Sequence, residues 1–173
     1  MISIPQFDGG WSYTQKEMIS LFRFIEYRNT YSILEFGGGS STEKLYNHFA
    51  KYTTNLCYYV YETDSKYSPN IPQLDVIMYD QSTIDSLEIV DHIFDLILVD
   101  GPNGDKRAKW YSKIRKNVKP GTIILVDDFN HFDSFSTELD KNFEYELLDH
   151  HDEPFVAYGE HSWKIVKVIA ARS

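Results

Sequence analysis

The stretch that most restricts this chain is Ile33-Leu34-Glu35-Phe36-Gly37-Gly38-Gly39-Ser40-Ser41-Thr42, an apolar run that breaks into three glycines and then a helix start. Residues 31 to 36 are β-branched, aromatic or aliphatic apart from Ser32 and Glu35, which suits a strand buried on both faces. Glycine reaches positive φ and lets a ligand approach the backbone, so three in succession mark a tight strand-to-helix turn. Ser40 with Glu43 three residues on fits a capping box, and Leu45, Phe49 and Tyr52 continue an apolar stripe at helical spacing. A strand, a glycine turn and a helix N-terminus make a nucleotide site without saying which nucleotide.

The remaining chain supplies four more strands of the same kind. Thr14 with Glu17 predicts a second capping box, followed by Met18, Leu21, Phe22 and Ile25 on one helical face. Ahead of it lies an extended arm in which Trp11, Ser12 and Tyr13 are placed to close over a ligand or to pack against the domain. Strands are expected at 56–61, 75–79, 92–100 and 123–126, with helices at 82–89 and 105–118. After these come a short helix carrying Phe132, Phe135 and Leu139, a strand at 145–148, a polar loop at 150–162 and a last strand at 164–170. The last two strands leave no room for a crossover helix. The pattern is therefore α/β: a Rossmann-like, doubly wound, mainly parallel seven-stranded sheet with an antiparallel last strand. One domain over residues 1–173 is expected, with 1–30 as its N-terminal arm and helix.

Composition narrows the partners. A net charge of -9 argues against general nucleic-acid binding, which needs many clustered cations. The single cysteine, Cys57, excludes an internal disulfide, and no stretch reads as a leader or a membrane span, so a soluble cytoplasmic protein is expected. Seven of the seventeen basic residues fall between Lys106 and Lys119, as a solvated helix face would have them. Arg107 stands apart because it follows the Asp100-Gly101-Pro102 turn closely enough to reach a substrate phosphate or hydroxyl.

In open parallel sheets ligands bind beyond the carboxyl ends of the strands. By this register Gly37, Gly38, Gly39, Glu62, Asp80, Asp100, Asp127 and Asp128 share that edge. Glu62, ending the second strand, can accept hydrogen bonds from both ribose hydroxyls. Asp80 reaches toward a base or caps the following helix. Asp100 and Asp127-Asp128 end consecutive strands, and strands pair at about 4.8 Å, so three carboxylates converge. Such a cluster repels itself unless a hard cation such as Mg²⁺ neutralises it, and a hydroxyl on that cation becomes more acidic. The competing reading makes Asp127 or Asp128 a helix cap and Asp100 a turn residue. His131, three residues beyond Asp128, is a candidate general base or a surface histidine. His150-His151-Asp152-Glu153 reads as a solvated loop.

Taken together, Glu35-Phe36-Gly37-Gly38-Gly39-Ser40, Glu62 and the segment from Phe94 to Pro102 resemble the class I S-adenosylmethionine-dependent methyltransferases. The resemblance runs from about Tyr31 to Ala170. It implies S-adenosylmethionine as cofactor, with Glu35 and the glycine turn at its methionine part, Glu62 at the ribose, Asp80 near adenine and Asp100 beside the reacting end. Within the class, Asp100 with Asp127 and Asp128 is similar to divalent-metal-dependent O-methyltransferases, and the doubled acid is more like the sugar-modifying members than the catechol-type ones with Asp-Asn. That implies Mg²⁺ or Mn²⁺ on the three aspartates, Asp100 and His131 in catalysis, and a sugar or glycan hydroxyl as acceptor. A catechol-like acceptor, an NAD-dependent oxidoreductase and a non-catalytic binding protein are the alternatives. For the second, Gly37-x-Gly39-x-x-Thr42 carries two of the three dinucleotide glycines.

Overall fold

The structure, a computed structural model, describes residues 3–7, 13–102, 104–131, 133–152 and 162–172. Seven strands form one sheet: β1 (Thr30–Phe36), β2 (Asn55–Glu62), β3 (Asp75–Met78), β4 (Leu96–Val99), β5 (Ile123–Asp127), β6 (Phe143–His151) and β7 (Trp163–Ala171). Their spatial order is β3-β2-β1-β4-β5-β7-β6. The first five run parallel, and β7 lies antiparallel between β5 and β6. The order reverses at β1, which places the glycine turn at the topological switch point where such sheets bind ligands.

Each face of the sheet buries its own core. Leu34, Phe36, Ile97, Val99, Ile124 and Val126 pack with Trp110, Tyr111, Phe135 and Leu139. Ile33, Val60, Leu96, Leu98 and Leu125 pack on the other side with Met18, Leu21, Leu45 and Phe49. The central strands β4 and β5 are buried at every residue, which is why they read as continuous apolar runs. Helix α1 (Gln15–Phe22) opens with the expected capping box: Thr14 Oγ1 accepts from the Glu17 amide and the Glu17 carboxylate accepts from the Thr14 amide. Helix α2 (Ser40–Tyr52) starts differently from expectation. Its cap is Gly39, whose N–H donates to Thr42 Oγ1 at 2.9 Å, so Thr42 plays the part foreseen for Glu43.

Three further expectations are corrected. No α-helix forms over 82–89; Asp80 caps a single 3-10 turn at Gln81–Thr83 and irregular chain follows. The helix at 105–118 is broken into a 3-10 turn, a short α3 (Lys109–Lys113) and another 3-10 turn. The polar loop begins later than expected, because β6 continues through His150 and His151 and pairs with Lys164 and Trp163. Helix α4 (Asp133–Asn142) buries Phe135 and Leu139 as foreseen. Trp11, Ser12, Phe132, Pro154, Gly159 and His161 lie outside the described residues, whereas Tyr13 is buried in the core under α1. No described helix is long and apolar enough to cross a membrane.

Candidate active site

The strand register builds the site. Phe36 sits opposite Tyr61 on one side and Val99 on the other, and Val99 sits opposite Val126. The next residue of each strand therefore stands on one level, giving Glu62, Gly37, Asp100 and Asp127 in a row across four neighbouring strands. A cleft of about 590 Å³ opens over this row, lined by the three glycines, Glu62, the three aspartates and the rings of Tyr61, Tyr67 and Tyr79.

The three glycines do different work. Gly37 has φ +93°, and a Cβ there would lie 2.7 Å from the Gly101 nitrogen. A Cβ on Gly101 would in turn lie 2.8 Å from Gly37 Cα, so the turns after β1 and β4 touch backbone to backbone. Gly38 is packed under Val60 and Pro69, while a Cβ on Gly39 meets no atom within 4 Å and would project into open space. Gly101 was not singled out by the sequence reading; the Asp-Gly-Pro string was its signal. Trp110 stabilises the same turn, donating from Nε1 to Gly101 O at 2.9 Å while its ring stacks on Phe36.

Of the acids assigned to the cofactor, Glu62 and Asp100 line the cleft on either side of the glycine turn. Glu62 is 6% exposed; its Oε2 accepts from the Gly38 amide at 2.7 Å, and its Oε1 accepts from the Thr63 and Asp64 amides at 2.6 and 2.7 Å. The Thr63 hydroxyl adds a fourth bond, to Oε1 at 3.3 Å, so among the described residues Oε1 is engaged three times, while Oε2 has one partner and keeps acceptor capacity. Asp80 is spent otherwise: its carboxylate accepts from the Ser82 amide at 2.7 Å, which holds its pKa below the usual range, and Tyr79 lines the cleft in its place. Glu35 is also absent from the cleft lining. Strand alternation turns it to the opposite face, where it is 1% exposed and accepts from the Tyr58 hydroxyl at 2.6 Å.

The three aspartates converge as the spacing implies, with a carboxylate oxygen from each lying within 4.8 Å of the others. Asp127 is buried, and its carboxyl is pushed well above the usual range, first by burial and then by Asp100 and Asp128. Asp128 has φ 53°, a conformation that Asp and Asn tolerate better than other non-glycine residues. Asn130 N–H donates to Ser162 Oγ at 3.0 Å, tying the chain after β5 to the start of β7.

Arg107, expected to reach a substrate phosphate or hydroxyl, is 3% exposed and packed against the acid group. Its guanidinium donates to Asp127 O at 2.8 Å and to Pro102 O at 3.3 Å, and stands 3.6 Å from Asp100 and 3.7 Å from Asp128. It lines the cleft as the cation of the acid group. His131 places Nδ1 3.4 Å from Asp128 Oδ1, with its side chain 41% exposed.

These residues fit the groups the resemblance implies. Three hard oxygen donors within reach of one another, one of them with its pKa raised by burial and by its neighbours, are the donor set that a small divalent cation takes once their charge is offset by it. Among the described residues, Arg107 brings a positive charge to this group, 3.6 Å from Asp100 and 3.7 Å from Asp128. On the other side, open space at Gly39 beside the Glu62 carboxylate and the Tyr79 ring forms a cradle for a nucleoside.

Comparison with known proteins places the fold. No protein-family model and no curated protein sequence matches the chain. Among solved structures, a candidate rRNA methylase from Clostridium thermocellum aligns at a TM-score of 0.65 and 12% identity, over 92% of this chain and 98% of that one. The N-methyltransferase NodS from Bradyrhizobium japonicum, in complex with S-adenosyl-L-homocysteine, aligns at 0.58 and 14%, over 89% and 86%. Fibrillarin from Aeropyrum pernix, with natively bound S-adenosyl-L-methionine, aligns at 0.57 and 14%, over 87% and 74%. The chain thus shares the Rossmann-like fold of these solved structures, as expected.

Proposed function

We propose that this protein is an S-adenosylmethionine-dependent methyltransferase that acts on a hydroxyl, assisted by Mg²⁺ or Mn²⁺ held by Asp100, Asp127 and Asp128. The observation that carries this reading is the single row of Glu62, Gly37, Asp100 and Asp127 beneath one cleft. When bound, the sulfonium donor supplies an electrophilic methyl group and the cation makes a neighbouring hydroxyl more acidic. Glu62 and the turn at Gly37 to Gly39 orient the donor. The aspartates hold the acceptor oxygen in line, which is where most of the rate gain of a displacement arises. His131, beside Asp128, takes the hydroxyl proton.

The structural neighbours are named for rRNA and N-methylation, so the hydroxyl reading rests on the acid group of this chain. We take the acceptor to be a sugar or glycan hydroxyl, with a catechol as the competing small molecule. Calorimetry with S-adenosylhomocysteine and with Mn²⁺, followed by methyl transfer to a panel of glycans and catechols, tests each part. We expect micromolar cofactor binding that Glu62→Ala weakens at least tenfold, and transfer that EDTA abolishes. No cofactor binding by the wild type sinks the activity; full transfer in EDTA removes the metal.

A further inference from the structure

Trp110 is fully buried and does not line the cleft, yet it packs against both halves of it. On the acid side, the turn that carries Asp100 is clamped from two directions. Phe36 O accepts from the Asp100 and Gly101 amides at 2.9 and 2.6 Å, and Trp110 Nε1 donates to Gly101 O at 2.9 Å. The two clamps are themselves joined, since the Phe36 and Trp110 rings stack with centroids 3.9 Å apart and planes within 16°. On the other side, the same indole meets the two tyrosines that line the cleft near the glycines: Tyr79 edge-on at 5.5 Å and 78°, and Tyr61 at 5.9 Å and 60°. Tyr61 is also fixed from behind, because its hydroxyl accepts from the Val90 amide at 3.0 Å. Tyr79 takes its setting from ring contacts, with Trp110 the nearer at 5.5 Å against 6.4 Å for Tyr61.

We propose that Trp110 is a positioning residue that couples the two halves of the cleft, so that a nucleoside against Tyr79 and a divalent cation on the aspartates each bind more tightly when the other is present. The proposal rests on the methyl-donor and metal reading above. Trp110 touches neither ligand. Side chains packed this closely do not shift singly, because a dense interior passes a displacement on rather than absorbing it. A nucleoside seated on Tyr79 holds the indole, the indole holds Gly101 O, and Asp100 is then presented in one setting. A cation that fixes Asp100 acts along the same contacts in reverse. The two effects are one free energy, so the factor is the same in both directions. S-adenosylhomocysteine is the suitable probe, since its thioether is uncharged and neither attracts nor repels the cation as a sulfonium does.

The test is calorimetry on the full chain: Mn²⁺ with and without saturating S-adenosylhomocysteine, then S-adenosylhomocysteine with and without saturating Mn²⁺. In the wild type each ligand should tighten the other by about fivefold, the lower end of the usual range for linked sites, and the two directions should agree. Trp110→Phe keeps a ring beside Phe36 and removes the donor to Gly101 O; both ligands still bind, and the coupling falls below about twofold. A tryptophan with only a structural role would lower the melting temperature and weaken each ligand alone while leaving the factor between them intact. Where Trp110→Phe does not fold, Tyr79→Leu removes the ring at the other end of the same contacts and should abolish the coupling in the same way. Coupling that persists in either variant, or a wild type that binds the two ligands independently, overturns the proposal and leaves the cofactor and metal readings standing. Absence of S-adenosylhomocysteine binding by the wild type overturns it together with the methyl-donor reading, and absence of Mn²⁺ binding overturns it together with the metal reading.

Discussion

Asp95 and Asp100 sit at opposite ends of β4, and their surroundings differ as much as their positions. At the amino end, Asp95 accepts from the Ser32 amide at 2.9 Å and meets Lys119 at 2.7 Å and Arg28 at 4.0 Å. It belongs to a pocket of about 410 Å³ whose acids each have a cation of their own, Glu26 pairing with Arg28 at 3.0 Å. At the carboxyl end, Asp100, Asp127 and Asp128 share one guanidinium, and Asp127 is driven toward its protonated form. Among the described residues, one strand thus carries an acid paired with cations at one pole and three acids around one guanidinium at the other. Charges neutralised pair by pair hold a fold together; the gathered acids are where the proposed cation would sit.

The largest effect should come from breaking the pole with the three acids. Asp127→Ala should lower methyl transfer by at least about 100-fold, above what outer-sphere partners of a metal site alone cost, and should abolish Mn²⁺ binding in calorimetry. Asp128→Asn keeps a residue that tolerates positive φ while removing charge, so its melting temperature should stay near wild type while its Mn²⁺ affinity falls. Together they separate the charge of the site from its shape.

Removing the shared cation sharpens the contrast. Arg107→Met leaves the acid group without its guanidinium and should cost about 3–5 kcal/mol of stability in a denaturant titration. Added Mn²⁺ should restore part of that loss, whereas no divalent ion should help a variant of the opposite pole.

Glu35→Gln should have a smaller effect, and one with a sign that depends on pH. The folded-state carboxyl is raised to about 8, so its contribution to stability is full below the unfolded value near 4.5 and is lost as pH rises through about 8. The melting temperature of Glu35→Gln relative to wild type should therefore climb between pH 5 and pH 9. A flat difference would mean the acid is not held neutral.

The smallest effect belongs to the paired pole. Lys119→Ala removes an ion pair whose lysine is 45% exposed, worth under about 1 kcal/mol, and should leave S-adenosylhomocysteine affinity unchanged. A loss of cofactor affinity there would break the distinction between the two ends of β4.

The fold and the level of the site were legible because both rest on periodicity and register. Apolar runs ending in acids named Glu62, Asp100 and Asp127, and parallel pairing then put them side by side. The face of each side chain was harder to read. Glu35 belongs to the glycine motif in sequence, yet one step of strand alternation carries it away from the cleft. Arg107 was harder to place because the carbonyls and acids that engage it come from turns whose geometry no local pattern encodes, whereas the capping alternative kept open for Asp80 is the one its bond to Ser82 shows. Tyr79 and Gly101 were passed over for a related reason: a tyrosine after an apolar strand and a glycine before a proline are ordinary signals until another segment is packed against them. The helix expected at 82–89 does not form although Ile84, Leu87 and Ile89 are packed in the core: Asp80 caps one 3-10 turn and the chain beyond it is irregular.

The reciprocal contact between Gly37 and Gly101 has a bearing on how this sequence can vary. Each residue occupies the volume that a side chain on the other would need, and what it would strike is main chain, at 2.7 and 2.8 Å. No change of rotamer can relieve such a clash, and a smaller residue at the partner position does not exist. In a library of variants selected for folding, the codons for 37 and 101 should therefore both stay glycine, with no compensating pair. The turn after β1 and the turn that begins the acid group are fastened at that joint, and mutation can loosen neither without the other.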